Sequence, residues 1–369
     1  MEKSKVLIIA ASLRTGGAEK VTRDIALYAP EGKYEFHYIV FGDEVGAYEA
    51  QVMEKGAKVF HWPEPAENYG RFFHSLLSLM KKENYHAVHA HNMFNCGITM
   101  LAAVLAGVPV RISHAHSAMN TGSSLVKRCY QVAMRGLILG CSTDLVACGV
   151  AAGEKLFGKT AFRKKGKLIL NGIDIRAYAF DPEKRTALRQ QLQLQDCLVL
   201  GHTGHLASVK NQSFLLDLMP LVLEKRPDAV LLLLGEGDDR KMLEEKVRQL
   251  RLEEKVFLPG NVSNVADYLS AMDVFVFPSL YEGLPLSILE VQANGLPCVI
   301  SDSVPADVFL TDLLYPMSLS DPKEQWVEKI LDIKRSDAHS RQTTLSDTEY
   351  AVEKAMGKVY DIYEKRLVE

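Results

Sequence analysis

The sequence predicts an α/β protein made of two doubly wound halves. Three observations carry that prediction. Short apolar runs alternate with segments of helical periodicity, the rhythm restarts after Asn171-Gly172, and 369 residues suffice for two domains with a core each. In the first half, apolar runs of strand length fall at 6–10, 36–41, 58–61, 87–90, 110–113 and 145–147. Between them, 18–28, 70–82, 94–105 and 125–139 repeat apolar residues at the helical period. In the second half, strands are expected at 198–202, 229–234, 255–258, 274–277 and 298–301, and helices at 211–224, 239–250, 264–271 and 286–293. A long amphipathic helix closes the chain over 348–367. The boundary is expected between 167 and 174, giving domains at 1–168 and 169–347 with a ligand cleft between them.

Composition narrows the classes. Hydrophobic residues are 47% and charged ones 24%, an ordinary globular balance rather than a disordered one. No apolar run reaches the roughly 18 residues of a membrane-spanning helix. The run Val6 to Leu13 is short for a signal peptide and is followed by Arg14 and paired glycines, so it reads as a buried first strand. Six cysteines lack Cys-x-x-Cys spacing, which fits buried thiols in a reducing cytoplasm.

The net charge of −3 hides an asymmetry. Residues 1–168 hold 21 Lys and Arg against 14 Asp and Glu, a net of +7, and the remainder has a net of −10. The basic clusters are Lys127-Arg128 with Arg135, and Arg163-Lys164-Lys165 with Lys167. They are either a solvated face or a weak attraction to an anionic membrane surface, worth roughly 1 kcal/mol per well-placed basic side chain. No nucleic-acid partner is expected, because aromatic residues are not interleaved with the basic ones.

Candidate chemistry concentrates in Tyr281-Glu282-Gly283-Leu284-Pro285-Leu286-Ser287-Ile288-Leu289-Glu290. A buried strand over 274–277 leads into it, and Pro285 suits the first turn of a helix. Glu282 is then in the loop at the strand's carboxyl end and Glu290 on the helix, at the edge where open α/β sheets bind ligands. The alternative is two solvated glutamates flanking a core helix. Lys210 follows the strand at 198–202 and leads into the next helix, a poor electrostatic position for a cation unless an anion sits there. Two His-x-His pairs, His89/His91 and His114/His116, end two predicted strands. A metal site is conceivable there, but the pairs lack a carboxylate or cysteine companion.

The Glu282 to Glu290 stretch resembles the Glu-x7-Glu signature of retaining glycosyltransferases of the GT-B fold that use nucleotide-sugar donors. Leu13-Arg14-Thr15-Gly16-Gly17-Ala18-Glu19 is similar to that family's Gly-Gly loop, Leu170-Asn171-Gly172-Ile173-Asp174 to the segment opening its second domain, and Lys210-Asn211 to the pair opening that domain's first helix. Leu234-Gly235-Glu236-Gly237 and Leu258-Pro259-Gly260 match two further loops. The likeness is greatest to bacterial capsule, exopolysaccharide and O-antigen enzymes. It implies two Rossmann-like domains, the first binding acceptor and the second nucleotide sugar, with the tail helix packing back on the first.

The resemblance also implies roles. Glu282, Lys210 and His114 would act at the reacting sugar and diphosphate. Gly16, Gly17, His205, Gly235, Gly237, Gly283, Leu284 and Glu290 would bind the donor, with Glu290 on the ribose. His89, His91 and His116 either line the acceptor side or are satisfied core histidines. The family usually carries arginine five residues before the lysine; this chain has His205, which lacks the bidentate fork. No Asp-x-Asp element occurs, so neither a metal nor a cofactor is expected and protein groups must neutralise the leaving phosphate. The expected partners are a UDP-sugar and a lipid-linked or saccharide acceptor at the inner membrane face. Two other readings share the cleft: a UDP-sugar epimerase of the same fold, and a non-catalytic nucleotide-sugar-binding partner subunit.

Overall fold

The computed structural model describes residues 3–14, 16–117, 124–333, 341, 345 and 348–365. The chain divides into two compact units, Met1–Gly172 with Val352–Glu369, and Ile173–Ala351. The expected boundary at 168 falls just before this division. Thr15 of the Gly-Gly loop and the last residues of the expected tail helix, 366 and 367, lie outside the described residues.

Among the described residues of the first unit, seven strands form one sheet: β1 Ser4–Ile9, β2 Tyr34–Phe41, β3 Lys58–Trp62, β4 Ala87–Ala90, β5 Val110–Ala115, β6 Asp144–Ala147 and β7 Gly166–Leu168. Their order is β3-β2-β1-β4-β5-β6-β7, and every pairing is parallel. A parallel sheet must be covered on both faces, and β1 displays the consequence. Val6 and Ile8 enter one core, Leu7 and Ile9 the other, and all four are fully buried. The edge strand β7 was not expected; its three residues are too few to leave a periodic signal.

The second unit repeats the plan with β8 Leu198–Thr203, β9 Ala229–Leu234, β10 Val256–Gly260, β11 Val274–Phe277, β12 Cys298–Ser301 and β13 Leu314–Met317, in the order β10-β9-β8-β11-β12-β13. Leu198 and Leu200 face one core and Val199 the other. Strand β13 was missed because Pro316 and its half-exposed neighbours break the apolar run. Also unexpected is the helix Pro182–Gln191, although Asp181 caps it by accepting from the N–H groups of Glu183 and Lys184 and Pro182 fills its first position.

The tail helix spans Val352–Glu364 and belongs to the first unit. Val352, Ala355, Met356, Val359, Ile362 and Tyr363 enter the core beside Val6 and Ile8. The Tyr360 hydroxyl donates to the Ile25 carbonyl at 3.0 Å, and its ring stacks on Tyr34 at 5.8 Å.

Each sheet reverses its winding once: between β1 and β4 in the first unit, and between β8 and β11 in the second. At such a switch point the two adjacent strand ends send their loops apart and leave a crevice, the ordinary ligand position of open α/β sheets.

Candidate active site

In the second unit, the crevice is flanked by the loops that follow β8 and β11. Lys210 ends a 3-10 turn, Ser208–Lys210, in the first loop, and Glu282 lies in the second. Their side chains meet at 2.7 Å, Nζ to Oε1, with exposures of 20% and 9%. The sequence placed Lys210 just ahead of a helix at 211–224, and the structure starts that helix one residue further on. Asn211 adopts a left-handed conformation (φ 55°), closes the short turn, and the helix begins one residue later as Gln212–Lys225. Two links clamp the loops together: Asn211 Nδ2 donates to the Pro278 carbonyl at 3.1 Å, and the Leu280 N–H donates to the Val209 carbonyl at 2.8 Å. The Lys210 ammonium also sits 5.4 Å from the Phe277 ring centre.

Beneath the pair lies His202, a residue the sequence reading passed over as part of an apolar run. Its ring stacks near both Phe275 and Phe277, with centroids 5.8 and 5.5 Å away, and bonds through Nδ1 to the Val276 carbonyl at 3.0 Å. Burial pushes its pKa down to about 4 despite that carbonyl, and the Lys210 charge adds to the push. The floor of the crevice is therefore neutral, and its charges sit at the rim.

Glu290 is half-buried on the helix Leu286–Ala293, the range expected from sequence. Pro285 stands at the N-cap, one position earlier than expected. Leu284 packs partly buried against the core beneath that helix, and Gly283 is exposed. His205, in the loop after β8, is exposed; its carbonyl accepts from Gln212 Nε2 at 2.9 Å. Gly235 and Gly237 follow β9 and are required by packing. A Cβ at 235 would lie 2.0 Å from the Gly204 carbonyl oxygen at a φ of 131°, and one at 237 would lie 2.3 Å from that of Leu206. Packing among the described residues makes no such demand at Gly283, nor at Gly17 of the first unit.

In the first unit, Gly16 and Gly17 lie where the β1 loop enters the helix Gly17–Leu27. Across the switch point, β4 and β5 bring the two His-x-His pairs together. Residues 89 and 112 are register partners on these parallel strands, so four imidazoles stack at the strand ends. His89 and His114 lie within the strands, and His91 and His116 just beyond them. Ring centres are 4.2 Å apart for His89/His91 and for His114/His116, and 5.0 Å for His91/His116. His89 Nε2 and His114 Nδ1 are 3.1 Å apart, and His91 Nδ1 and His116 Nε2 2.7 Å apart. The sequence reading missed Tyr363 of the tail helix, whose hydroxyl lies 2.8 Å from His89 Nδ1.

Burial, and then mutual repulsion, holds His89, His91 and His114 well below the ordinary histidine pKa; burial alone takes His116 down to about 4. All four are neutral at pH 7. His91 Nε2, His114 Nε2, His116 Nδ1 and Asn92 Nδ2 are buried without a hydrogen-bond partner among the described residues. Nitrogen atoms of His89, His91 and His114 lie within 4.8 Å of one another, close enough to hold a metal ion after adjustment. Linear spacing could not reveal that grouping, which depends on strand pairing.

Comparison with known proteins gives this geometry a family. Residues 15–177 match the family described as Glycosyltransferase Family 4, and residues 184–345 match Glycosyl transferases group 1. A putative glycosyltransferase, EpsF of Bacillus subtilis, is 33% identical over 98% of this chain and 96% of its own length. The chain belongs to this glycosyltransferase family. A second relative is the Escherichia coli UDP-Gal:alpha-D-GlcNAc-diphosphoundecaprenol alpha-1,3-galactosyltransferase, 31% identical over 62% of this chain and 60% of that protein. CapH of Staphylococcus aureus, a capsular polysaccharide biosynthesis glycosyltransferase, is 24% identical over 81% of each chain. Among solved structures, Anabaena HepE in complex with UDP superposes with a TM-score of 0.78 at 18% identity, covering 98% of this chain and 99% of that one. WaaG, involved in lipopolysaccharide biosynthesis, superposes at 0.67 and 16% identity, covering 98% and 100%. The architecture of this glycosyltransferase is thus GT-B, two Rossmann-like parallel-sheet units. No helix among its described residues is long and apolar enough to cross a membrane.

Proposed function

We propose that the protein is a retaining glycosyltransferase. It moves a sugar from a UDP-sugar to a lipid-linked or saccharide acceptor during synthesis of a bacterial surface polysaccharide. The observation that carries this reading is the Lys210–Glu282 pair across the switch point of the second unit. A half-buried cation there is worth retaining where negative charge develops, and breaking a sugar–diphosphate bond places that charge on the departing phosphate.

In this mechanism the bond from the anomeric carbon to the β-phosphate oxygen breaks with its electrons leaving on the phosphate. The acceptor oxygen bonds to the same face of the sugar, and its proton passes to the departing phosphate oxygen. Lys210 and the N-terminus of the helix at Leu286 neutralise the diphosphate. Glu282 positions the donor sugar and, when donor is absent, holds Lys210 in place. Glu290 holds the ribose hydroxyls. The loops at Gly235, Gly237 and Gly260 take the nucleobase through backbone groups, while Gly283 and Leu284 keep the approach to the helix start narrow and apolar. His205 faces the diphosphate. On the first unit, Gly16 and Gly17 approach the phosphates, His114 contacts the donor sugar, and His89, His91 and His116 face the acceptor. The reaction is proposed to need no metal, since Lys210 and the helix start supply the positive charge.

A peripheral membrane position is part of the proposal. The helix Leu125–Cys141 exposes Leu125, Val126 and Val132 at 76%, 80% and 66%, and Lys127 and Arg128 lie on the same first turns. Apolar side chains among basic ones suit an anionic lipid surface, where an acceptor lipid would be met.

The test is UDP release from a panel of UDP-sugars, with and without lipid-diphosphate acceptors, followed by the anomeric configuration of the product by NMR. Release with a retained anomer is expected. An altered free sugar identifies an epimerase, an inverted anomer removes the retaining assignment, and nucleotide binding with neither product identifies a non-catalytic partner.

A further inference from the structure

We infer that Tyr363 and His89 fix the proton on Nε2 of His114, so that His114 meets its ligand as a hydrogen-bond donor and is barred from acting as a base. The inference rests on the reading above that His114 contacts the donor sugar, and it adds two positioning residues to that reading.

The argument is a count of protons along a three-membered chain. The Tyr363 hydroxyl, His89 Nδ1, His89 Nε2 and His114 Nδ1 are joined at 2.8 Å and 3.1 Å, and His114 Nε2 ends the chain, buried and unpartnered. Each ring is neutral and carries one proton. Only two arrangements satisfy both bonds. In the first, the phenol donates to His89 Nδ1, His89 Nε2–H donates to His114 Nδ1, and the His114 proton is left on Nε2. In the second, every donor is reversed: His89 Nδ1–H donates to the phenol oxygen, His114 Nδ1–H donates to His89 Nε2, and His114 Nε2 is a bare lone pair.

The fully buried Tyr363 side chain decides between them. His89 is the one partner of its hydroxyl among the described residues. Each arrangement leaves one proton and one lone pair unmet, but the second strands the stronger donor, the phenol proton, and the stronger acceptor, the imidazole nitrogen, where the first strands an imidazole N–H and a phenol lone pair. Stranding a buried donor is costly. Burial and the neighbouring tyrosines hold the Tyr363 pKa well above its ordinary value, so the hydroxyl keeps its proton. The first arrangement is thus the ground state.

The consequence is chemical. With Nε2 already protonated, the unpartnered Nε2 edge of His114 suits a sugar hydroxyl or phosphate oxygen, not an acceptor proton. This agrees with the departing phosphate taking that proton. It also sets the relay against a metal ion on His89, His91 and His114. Both nitrogens of His89 are already bonded, so an ion would have to break the chain.

The full-length protein, stripped with EDTA and labelled with 15N-histidine, should show His114 protonated at Nε2 in long-range 1H–15N spectra. Tyr363→Phe keeps the ring and removes the donor. It should mix the two His114 tautomers and lower kcat about 5- to 20-fold with little change in donor KM and near-native melting. His89→Asn should likewise mix the tautomers. A His114 proton on Nδ1 in the native protein would overturn the relay, as would unchanged tautomers in Tyr363→Phe or His89→Asn, or an ion that EDTA removes from the three histidines. His114→Ala separates the two levels of the argument. Native turnover in that variant removes the sugar-contact reading, while the tautomer spectra still judge the relay.

Discussion

The two units fill equivalent crevices, one within each sheet, with different electrostatics. At the switch point of the first, the strand ends carry four neutral imidazoles, three of them with an unmet nitrogen among the described residues. At that of the second, a neutral histidine forms the floor and a lysine–glutamate pair the rim. Fold does not choose between them, because strand order and loop positions correspond. The difference lies in which residues the strand ends present. Buried N–H and lone-pair groups suit hydroxyls, which need no charge, while a diphosphate needs a cation held in place before it arrives.

The comparison breaks most readily in the second unit, whose interior also carries charge. Asp273 is buried against Arg185 at 2.6 Å and Arg189 at 3.3 Å and accepts from the Val199 N–H at 2.8 Å. Although burial opposes ionisation, that N–H and the two arginines hold its carboxyl below the usual range. Asp273→Asn keeps the shape and removes the charge that these arginines face. It should destabilise the second unit by about 3–5 kcal/mol, measured by denaturant unfolding, with the first unit unaffected. A loss under about 1 kcal/mol would show that the arginines find other partners. Next in size is Lys210→Ala, which should lower kcat about 10²- to 10³-fold, about 2.7–4 kcal/mol of transition-state stabilisation. Near-native turnover would remove Lys210 from the mechanism.

Acid sharpens the contrast. The unfolded chain binds protons near pH 6.5 at histidines that the folded units keep neutral, so stability rises with pH across that window and is lost as pH falls. His116 and His202 mark its lower edge at about 4, with His89, His91 and His114 reaching further. Four such groups lie in the first unit, against His202 in the second. Between pH 7 and 5 the first unit should therefore lose on the order of 5 °C more in melting temperature than the second. Trp62 and Trp326, the two tryptophans, fall one in each unit, so Trp62→Phe and Trp326→Phe variants isolate the two fluorescence signals. Equal shifts would mean that the imidazoles are not neutral in the folded state.

Legibility in the sequence followed the range of the contacts. Both parallel sheets announced themselves because a strand buried on two faces is apolar throughout, as in Ala229–Leu234. The helix after β11 was readable to the residue, since Pro285 and the Asn294-Gly295 turn delimit it. Lys210, Glu282 and Glu290 could be singled out as residue types at loop and helix positions. Their meeting could not, for 72 positions separate Lys210 from Glu282 and only the β8–β11 pairing joins them. The bonded histidines His89/His114 and His91/His116 each lie 25 positions apart, and Tyr363 reaches His89 across 274. Such distances leave no periodicity to read. The helix at Pro182 is a different failure: its cap and proline were visible in the sequence and were passed over.

The smallest effect tests how much of the second unit's charge is still missing. His205 stands exposed in the loop after β8, five residues before Lys210, where the family resemblance implies an arginine. An arginine fork can grip two phosphate oxygens at once and a histidine ring cannot. If Lys210 and the helix start already neutralise the diphosphate, a further cation at an exposed position adds only a surface interaction, about 0.5–1 kcal/mol. His205→Arg should then tighten UDP about two- to fivefold by calorimetry and leave kcat within twofold. An increase of a hundredfold or more in either quantity would show that the native rim is undercharged, and that this chain differs from its relatives in catalytic strength rather than in detail.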